Sequence, residues 1–423
     1  MVSSASIETF TRKYNIEDYG VLDPVYEVTR ILKKTEEKDL IPAFNVKGTS
    51  TTSVGNLVST RKRLLEALGV ENEEEAYKKI LNAVENPKEL TWIGDPGGYR
   101  SVDEGFKSLP FAKFFEKDGG LYLTAAFIIA CWKGVCNASI HRMMYIDEKR
   151  VAVRIVPRHL YKLYNDAVKE EGRLPVTVVL GVHPAVLVAV STSPSLGQFE
   201  LGVASKLLNG LEVFPSPLHG NPVPVGAGAI VEGYLTSERV EEGPFTDILM
   251  LYDKVRREPV LYAEKVFVSD NYTHVILPGG REHMNLMGFP REAQVWASVS
   301  RVVPRVYKVR LSPGGGGWLH AIISIEKNHD GDAKNAIMAA FAGHPSLKHV
   351  VVVDGDIDPD NYEMVEWAIA TRFQADRDLI VIRNARGSTL DPSADNGFTA
   401  KMGIDATVPR KGDPHFERAK WPG

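Results

Sequence analysis

Cysteine is nearly absent from this sequence: the 423 residues hold two, Cys131 and Cys136. Two thiols cannot complete an all-cysteine zinc site, and their spacing is not the redox-type C-x-x-C. The expectation is a pair of buried free thiols in a reducing cytosol. Long apolar runs are missing as well. Leu123–Trp132 is too short to span a bilayer, and 176–190 is interrupted by Gly181, His183 and Pro184. The opening MVSSASIETFTRKYN has no apolar core, so no signal peptide is expected. A basic surplus is lacking too. Lys and Arg total 50 against 54 Asp and Glu, a formal net charge of -4, which argues against a dedicated nucleic-acid binder. Hydrophobic residues at 44% and charged residues at 25% exclude a mainly disordered chain. A cytoplasmic protein with neither nucleic-acid nor membrane partners is expected.

Familiar motifs are also wanting. There is no G-x-x-x-x-G-K-[ST] loop and no H-E-x-x-H. LSPGGGGWLH lacks the dinucleotide spacing and reads as a flexible connection. VDGDIDPDN, residues 353–361, lacks the closing glutamate of a calcium loop and reads as a solvated strand-to-helix turn.

The length suits two or three domains. PVYEVTRILKKTEE reads as an amphipathic helix, IPAFNV as a short strand, and STRKRLLEALGV and NEEEAYKKILNAVENP as two helices. Residues 1–115 are therefore expected to form an amino-terminal α/β region. From about residue 121 the texture becomes β-rich, with LYLTAAFIIACW, RMMYID, KRVAVRIV, TVVLGV, AIVEGYL and VLYAEKVFVS separated by turn chemistry. PRHLYKLYNDAVKEEG and FELGVASKLLNG interrupt them as helices. Many short strands with few helices suggest a barrel with insertions over 116–303, closed by a linking helix at FPREAQVWASVSRVVP. Beyond 304, strand and helix patterns alternate, so a carboxy-terminal α/β domain is expected over 304–423. The fold class is α/β (α+β).

One constellation rises above composition. Asn137 and Arg142 lie five apart in CNASIHRMM. Arg158 and His159 end a strand in RIVPRHLYKLY. Glu200 opens a helix in SPSLGQFELGVASKLL, and Glu242 and Asp247 flank Gly-Pro-Phe in VEEGPFTDI. Singly, each has a plain structural explanation. Glu200 can simply favour the positive end of its helix, and Glu242 and Asp247 can be turn residues.

Taken in order, NVKGTSTTSVGNLVSTRKRL, NASIHR, VPRHL, LGVHPAVLVA, SPSLGQFELGVA, EGPFTD, LPGGREHMNLMGFPREA, VVVVDGDID, WAIATRF and GSTLDPSADNGFTAKMGIDATVP resemble the UbiD-type decarboxylases across nearly the whole chain, archaeal members most closely. The resemblance implies that the barrel is a split β-barrel that binds prenylated FMN. It implies a divalent ion, manganese or magnesium, on Asn137, His159 and Glu200. An amide oxygen, an imidazole and a carboxylate suit a hard cation that also grips phosphate. Ser139, Ile140, His141, Arg142, Arg158, Ser191, Thr192, Ser193 and Pro194 fall on cofactor-contacting segments. Arg372 matches an arginine near a monovalent ion, potassium.

The resemblance also implies that Arg142, Glu242 and Asp247 form the catalytic network. Arg142 would pair with a substrate carboxylate, Glu242 would hold it, and Asp247 would donate the proton. The implied reaction is a decarboxylation of trans-anhydromevalonate 5-phosphate to isopentenyl phosphate. A 4-hydroxybenzoate-type acid is the alternative substrate, and a non-catalytic subunit of a carboxylase assembly is the alternative role. A flavin prenyltransferase would supply the cofactor, and the chain would form a homodimer or larger homo-oligomer.

Overall fold

The computed structural model describes residues 5–409, 414–416 and 418–419. Residues 1–4 of the polar opening stretch lie outside that set. Two compact units emerge, one holding residues up to 72 with 79–286, the other 73–78 with residues from 287 onward. Among the described residues, no helix is long and apolar enough to cross a membrane.

In the first unit, a small sheet runs in the order Ile16–Leu22, Ile41–Val46, Thr52–Val54 and Thr273–His274. Helix Glu27–Glu37 turns Val28 and Leu32 inward, where they join Leu22, Phe44, Val46 and Val275 in one apolar cluster. The helical spacing of PVYEVTRILKKTEE thus becomes a buried stripe.

The larger sheet of this unit is a nine-stranded antiparallel half-barrel. Its central elements are β1 (Phe127–Trp132), β2 (Val135–Ile140), β3 (Met143–Asp147), β4 (Arg150–Val153), β5 (Arg173–Leu180), β6 (Ala229–Glu242) and β7 (Arg256–Val268). The order across the sheet is Tyr122–Leu123, β3, β4, β7, β6, β5, β1, β2, with Arg100–Val102 pairing off β7. Both faces of β5 are buried over residues 177–180, which is why TVVL reads as a continuous run instead of an alternating one. β6 and β7 are long and bulged. At Gly233 a Cβ would fall 1.9 Å from the Tyr262 carbonyl oxygen, so only glycine lets the two strands approach there. Helix α1 (His159–Glu171) joins β4 to β5. Helices α2 (Pro184–Val190) and α3 (Glu200–Leu207) lie between β5 and β6.

Two local readings need correction. Cys131 and Cys136 are neither free nor fully buried. They face each other across the β1–β2 hairpin and are joined by a disulfide. The tight Lys133–Gly134 turn places positions five apart in sequence opposite one another in space, a pairing the spacing alone does not reveal. Arg158 and His159 do not end a strand. β4 stops at Val153, and Arg158 is the residue before α1, which His159 opens.

The second unit contains a five-stranded sheet in the order β8 (Arg305–Leu311), β9 (His320–Glu326), β10 (His349–Asp354), β12 (Phe398–Asp405) and β11 (Leu379–Arg386). The three inner strands are parallel, as the alternation of strands and helices leads one to expect. PGGGG is a hydrogen-bonded turn between β8 and β9, where the Ser312 hydroxyl accepts from the Gly315 amide at 3.2 Å. The linking helix begins eight residues before Phe289. It runs Arg281–Val299 with Pro290 inside it.

Candidate functional site

β2 carries VCNASI across one edge of the half-barrel, and Asn137 is buried on it. Glu200, the first residue of α3, is also buried. Its carboxylate accepts from Asn137 Nδ2 at 2.7 Å and from the Ala138 amide at 2.8 Å. His159, the first residue of α1, brings its Nδ1 to 3.9 Å from Glu200 Oε1. Two helix starts and one strand thus converge on three donor groups. Burial raises the Glu200 carboxyl to about 7, because the N–H donors of Ala138, Glu200 itself and Asn137 offset only part of the lost hydration. Burial and the neighbouring Arg158 lower His159, leaving its ring nitrogens neutral.

This donor set fits a divalent cation. His141 is buried and held neutral, its pKa lowered to about 4 by burial. Its Nδ1 faces the Arg154 carbonyl at 2.9 Å, so Nδ1 carries the proton and Nε2 must accept. Nε2 lies 2.8 Å from Ser139 Oγ, and the same Oγ lies 2.9 Å from Asn137 Oδ1. The hydroxyl has one proton, and His141 claims it. Asn137 Oδ1 is then left without a donor. If the amide is turned over, Nδ2 bonds Ser139 and Oδ1 faces the Glu200 carboxylate, an oxygen pair that a cation between them would hold. Neutral imidazole, amide oxygen and a carboxylate lacking a countercharge form a ligand set for a hard or borderline ion.

Segments with anion-binding character surround these residues. Arg158 precedes α1 and Phe199 precedes α3, and neither start has a side-chain cap. An uncapped helix start such as that of α1 suits phosphate. Ile140 ends β2. Ser191 and Thr192 close α2 and donate their hydroxyl protons to the Leu187 and Ala189 carbonyls at 2.8 and 2.6 Å. Their lone pairs are left to accept. Ser193 and Pro194 begin the link to α3. Arg372 belongs to the second unit, where Asp354 and Asp356 engage its guanidinium.

The second half of the site lies one step along the chain. Arg142 sits between β2 and β3, and its backbone carbonyl accepts from the Arg154 amide at 3.2 Å. Residue 154 therefore anchors both His141 and Arg142. β6 ends at Glu242, which is fully buried and meets Arg142 fork to fork: Nε to Oε1 and Nη2 to Oε2, both at 2.8 Å. The strand continues seven residues beyond the AIVEGYL run, and this extension delivers Glu242. Arg142 Nη2 also reaches Asp253 at 3.1 Å. Although burial opposes its charge, Glu242 and Asp253 raise the guanidinium pKa above its ordinary value.

Asp253 went unnoticed in the sequence. It lies 111 residues from Arg142, and LYDKVRREPV offers no spacing signal. It is placed by a two-stranded hairpin in which Phe245 pairs with Asp253 and Thr246 with Tyr252. Arg256 binds it from the other side at 2.6 Å. Burial works against the charged form, but Arg256 and Arg142 hold Asp253 below the usual carboxylate range.

Asp247 begins the turn of the same hairpin. Its Oδ1 accepts from the Leu249 and Leu251 amides at 2.8 and 3.1 Å. It forms no ion pair with Arg142 among the described residues. Burial raises its pKa, the two amides pull it down, and Asp253 pushes it up again. Because Oδ1 accepts from two donors, Oδ2 is the oxygen open to a proton. The ring of Phe245 lies 4.7 Å from the Arg142 guanidinium, and Tyr122 stacks on Phe245 at 4.4 Å. An arginine fork, a buried carboxylate and a protonatable acid under aromatic cover can bind an anion and deliver a proton.

Three family models match in sequence along the chain. They are the 3-octaprenyl-4-hydroxybenzoate carboxy-lyase amino-terminal domain over 20–84, its Rift-related domain over 100–281 and its carboxy-terminal domain over 284–406. The chain belongs to the UbiD family. It is a UbiD-type decarboxylase, a carboxy-lyase. Anhydromevalonate phosphate decarboxylase of Aeropyrum pernix is 51% identical over 426 residues, covering 100% of this chain and 97% of the relative. The protein of that name from Methanocaldococcus jannaschii is 43% identical, covering 95% and 96%. Among solved structures, the UbiD-class enzyme HmfF from Pelotomaculum thermopropionicum in complex with FMN superposes at a TM-score of 0.93, with 37% identity and coverage of 98% and 96%. An evolved dimeric form of HmfF in complex with prFMN gives 0.89 at 35% identity, covering 99% and 97%. UbiD membership accounts for the half-barrel in the middle of the sequence.

Proposed function

We propose that this chain decarboxylates trans-anhydromevalonate 5-phosphate to isopentenyl phosphate and carbon dioxide. Prenylated FMN is its cofactor, and manganese or magnesium is held by Asn137, His159 and Glu200. The substrate is supported by relatives of that name at 51% and 43% identity over nearly the full chain. The flavin is supported by neighbours solved with FMN and prFMN. The uncapped start of α1, with Arg158, would take the flavin phosphate, and the lone pairs of Ser191 and Thr192 would face potassium. A separate prenyltransferase supplies the flavin, and the chain works as a homodimer or larger multiple.

The observation that carries the chemistry is the buried Arg142–Glu242 fork beside Asp247. When bound, prenylated FMN supplies an electron sink for the pair left by departing carbon dioxide. Arg142 Nη1 has no protein partner among the described residues and is free to bind the substrate carboxylate. Glu242 and Asp253 fix the plane of that guanidinium. The bond from the carboxyl carbon to the vinylic carbon breaks, and its electron pair ends in a new C–H bond at the vinylic carbon. Asp247 Oδ2 then gives that carbon a proton. One proton is consumed and one carbon dioxide released per turnover, and Asp247, 9% exposed, regains its proton from solvent.

The test is turnover by the purified chain supplied with prenylated FMN and manganese. Isopentenyl phosphate and carbon dioxide should form from trans-anhydromevalonate 5-phosphate. Faster turnover of 4-hydroxybenzoate would replace the substrate assignment. A flavin-loaded chain inert toward both would favour a non-catalytic subunit.

A further inference from the structure

The hairpin that carries Asp247 needs a mount, and that mount lies more than a hundred residues upstream. Asp118 is buried, yet among the described residues it forms no ion pair. Its Oδ1 accepts from both the amide and the hydroxyl of Thr246, at 3.0 and 3.1 Å. Its Oδ2 accepts from the Phe115 amide at 2.9 Å and so closes its own turn. The next residue reinforces the grip: the Gly119 amide donates to the Pro244 carbonyl at 2.7 Å. A Cβ on Gly119 would stand 2.1 Å from the Gly243 carbonyl oxygen, so the close approach admits no side chain. The segment 115–119 therefore clasps 243–246, the stretch between Glu242 and Asp247. Burying a carboxylate that only neutral donors satisfy is costly, and a plain loop contact would not require one.

We infer that Asp118 is the positioning residue of the proton donor: by holding the Thr246 peptide, it fixes the Asp247 carboxyl relative to Arg142. This rests on the reading of Asp247 as the donor. The linkage is continuous. Asp118 holds Thr246, whose carbonyl carbon bears the Asp247 nitrogen. The Asp247 amide donates to the Leu251 carbonyl at 2.8 Å, and its Oδ1 is fixed by Leu249 and Leu251. Opposite, Asp253 ties the other strand of the hairpin to Arg142. The acid thus has two mounts, one on the guanidinium and one on Asp118.

The test is steady-state kinetics of the flavin-loaded enzyme with a graded series of variants. Asp118→Ala removes all three acceptor bonds. It should lower kcat about 10- to 100-fold, as displacement of a reacting group by about an ångström does, while KM and flavin content stay within about twofold of the parent. Asp118→Asn can keep its oxygen on Thr246 at the expense of the Phe115 bond, so it should lie between the two. Thr246→Val should lose part of the rate and Thr246→Ser should recover it. Both leave the Asp118 carboxyl in place, so they still report if Asp118→Ala fails to fold. In the impaired variants, the alkaline limb of the kcat profile should move. The inference is overturned if folded Asp118→Ala keeps the parental kcat, or if rate and flavin fall in proportion. Asp247→Asn, run alongside, separates the two readings. Full rate in that variant overturns the donor assignment and this inference with it. An inactive Asp247→Asn beside a parental Asp118→Ala overturns this inference alone.

Discussion

Arg142 and Glu242 lie 100 residues apart in sequence and form two parallel 2.8 Å hydrogen bonds. Glu242 is fully buried and Arg142 nearly so. Neither residue can be removed without leaving a charge stranded. Arg142→Ala is expected to cost about 3–5 kcal/mol of stability, the usual penalty for breaking one side of a buried pair. Arg142→Lys keeps the charge and loses the fork. It should unfold near the parental urea midpoint yet lose about two orders of magnitude in kcat/KM, since a point charge cannot hold Glu242 and a substrate carboxylate in one plane. Urea melts and steady-state kinetics read the two effects separately. A lysine variant with parental activity would make the guanidinium geometry irrelevant.

Asp247 offers a cleaner separation of structure from chemistry. Asparagine at this position can still accept from the Leu249 and Leu251 amides, so the turn should hold. What it lacks is a transferable proton. Asp247→Asn should retain flavin and abolish turnover. The sign of the pH dependence follows from the donor role. Burial raises this carboxyl above its ordinary value, so it stays protonated at higher pH than an exposed aspartate. The rate should fall as pH rises through that elevated value and hold below it. A rate that rises with pH over the same range would assign the proton to another group.

The sequence exposed more of the fold than of the site. Apolar runs between turn signals marked β1 and β5, and helical spacing marked Glu27–Glu37, because burial on one face or two leaves a pattern in neighbouring residues. The half-barrel follows from many short strands with few helices. What stayed hidden was long-range or depended on turn geometry. The hairpin register that joins Cys131 to Cys136 is set by a two-residue turn. Asp253 and Asp118 reach the site across 111 and 128 residues through pairings that no local window contains. Asn137, His159 and Glu200 carry weak signals singly. They were singled out by family resemblance, and the structure places Asn137 and Glu200 2.7 Å apart with His159 beside them.

The ligand set makes metal and flavin content a joint readout. His159→Ala removes a neutral donor, and Glu200→Gln removes the one anionic donor. Each should lose manganese by elemental analysis and flavin by absorbance in parallel, since in the proposed function the flavin phosphate and the ion would share the site. In the protein stripped of metal, added manganese should raise the melting midpoint, because it binds the folded carboxylate and not the unfolded chain. Normal metal content in His159→Ala would break the assignment.

Acid stability provides a test independent of catalysis. Burial lowers His141, His183 and His283 from 6.5 to about 4. The unfolded chain binds protons at these three positions from about pH 6.5 downward, and the folded chain does so only near pH 4. Stability contributed by the neutral rings is therefore present above pH 6.5 and lost as pH falls toward 4, each ring being worth up to about 3 kcal/mol. Glu200 works in the opposite direction. Its carboxyl is raised from 4.5 to about 7, so in metal-free protein its ionisation burdens the fold, and acidification relieves that burden. The three rings, with His320 also lowered to about 4, outweigh Glu200, and the melting midpoint should drop between pH 6.5 and 4. With manganese bound, the Glu200 charge is satisfied and its opposing contribution disappears, so the loaded protein should show the steeper decline. A midpoint that is flat across this range in both forms would mean that the three rings titrate as exposed histidines do.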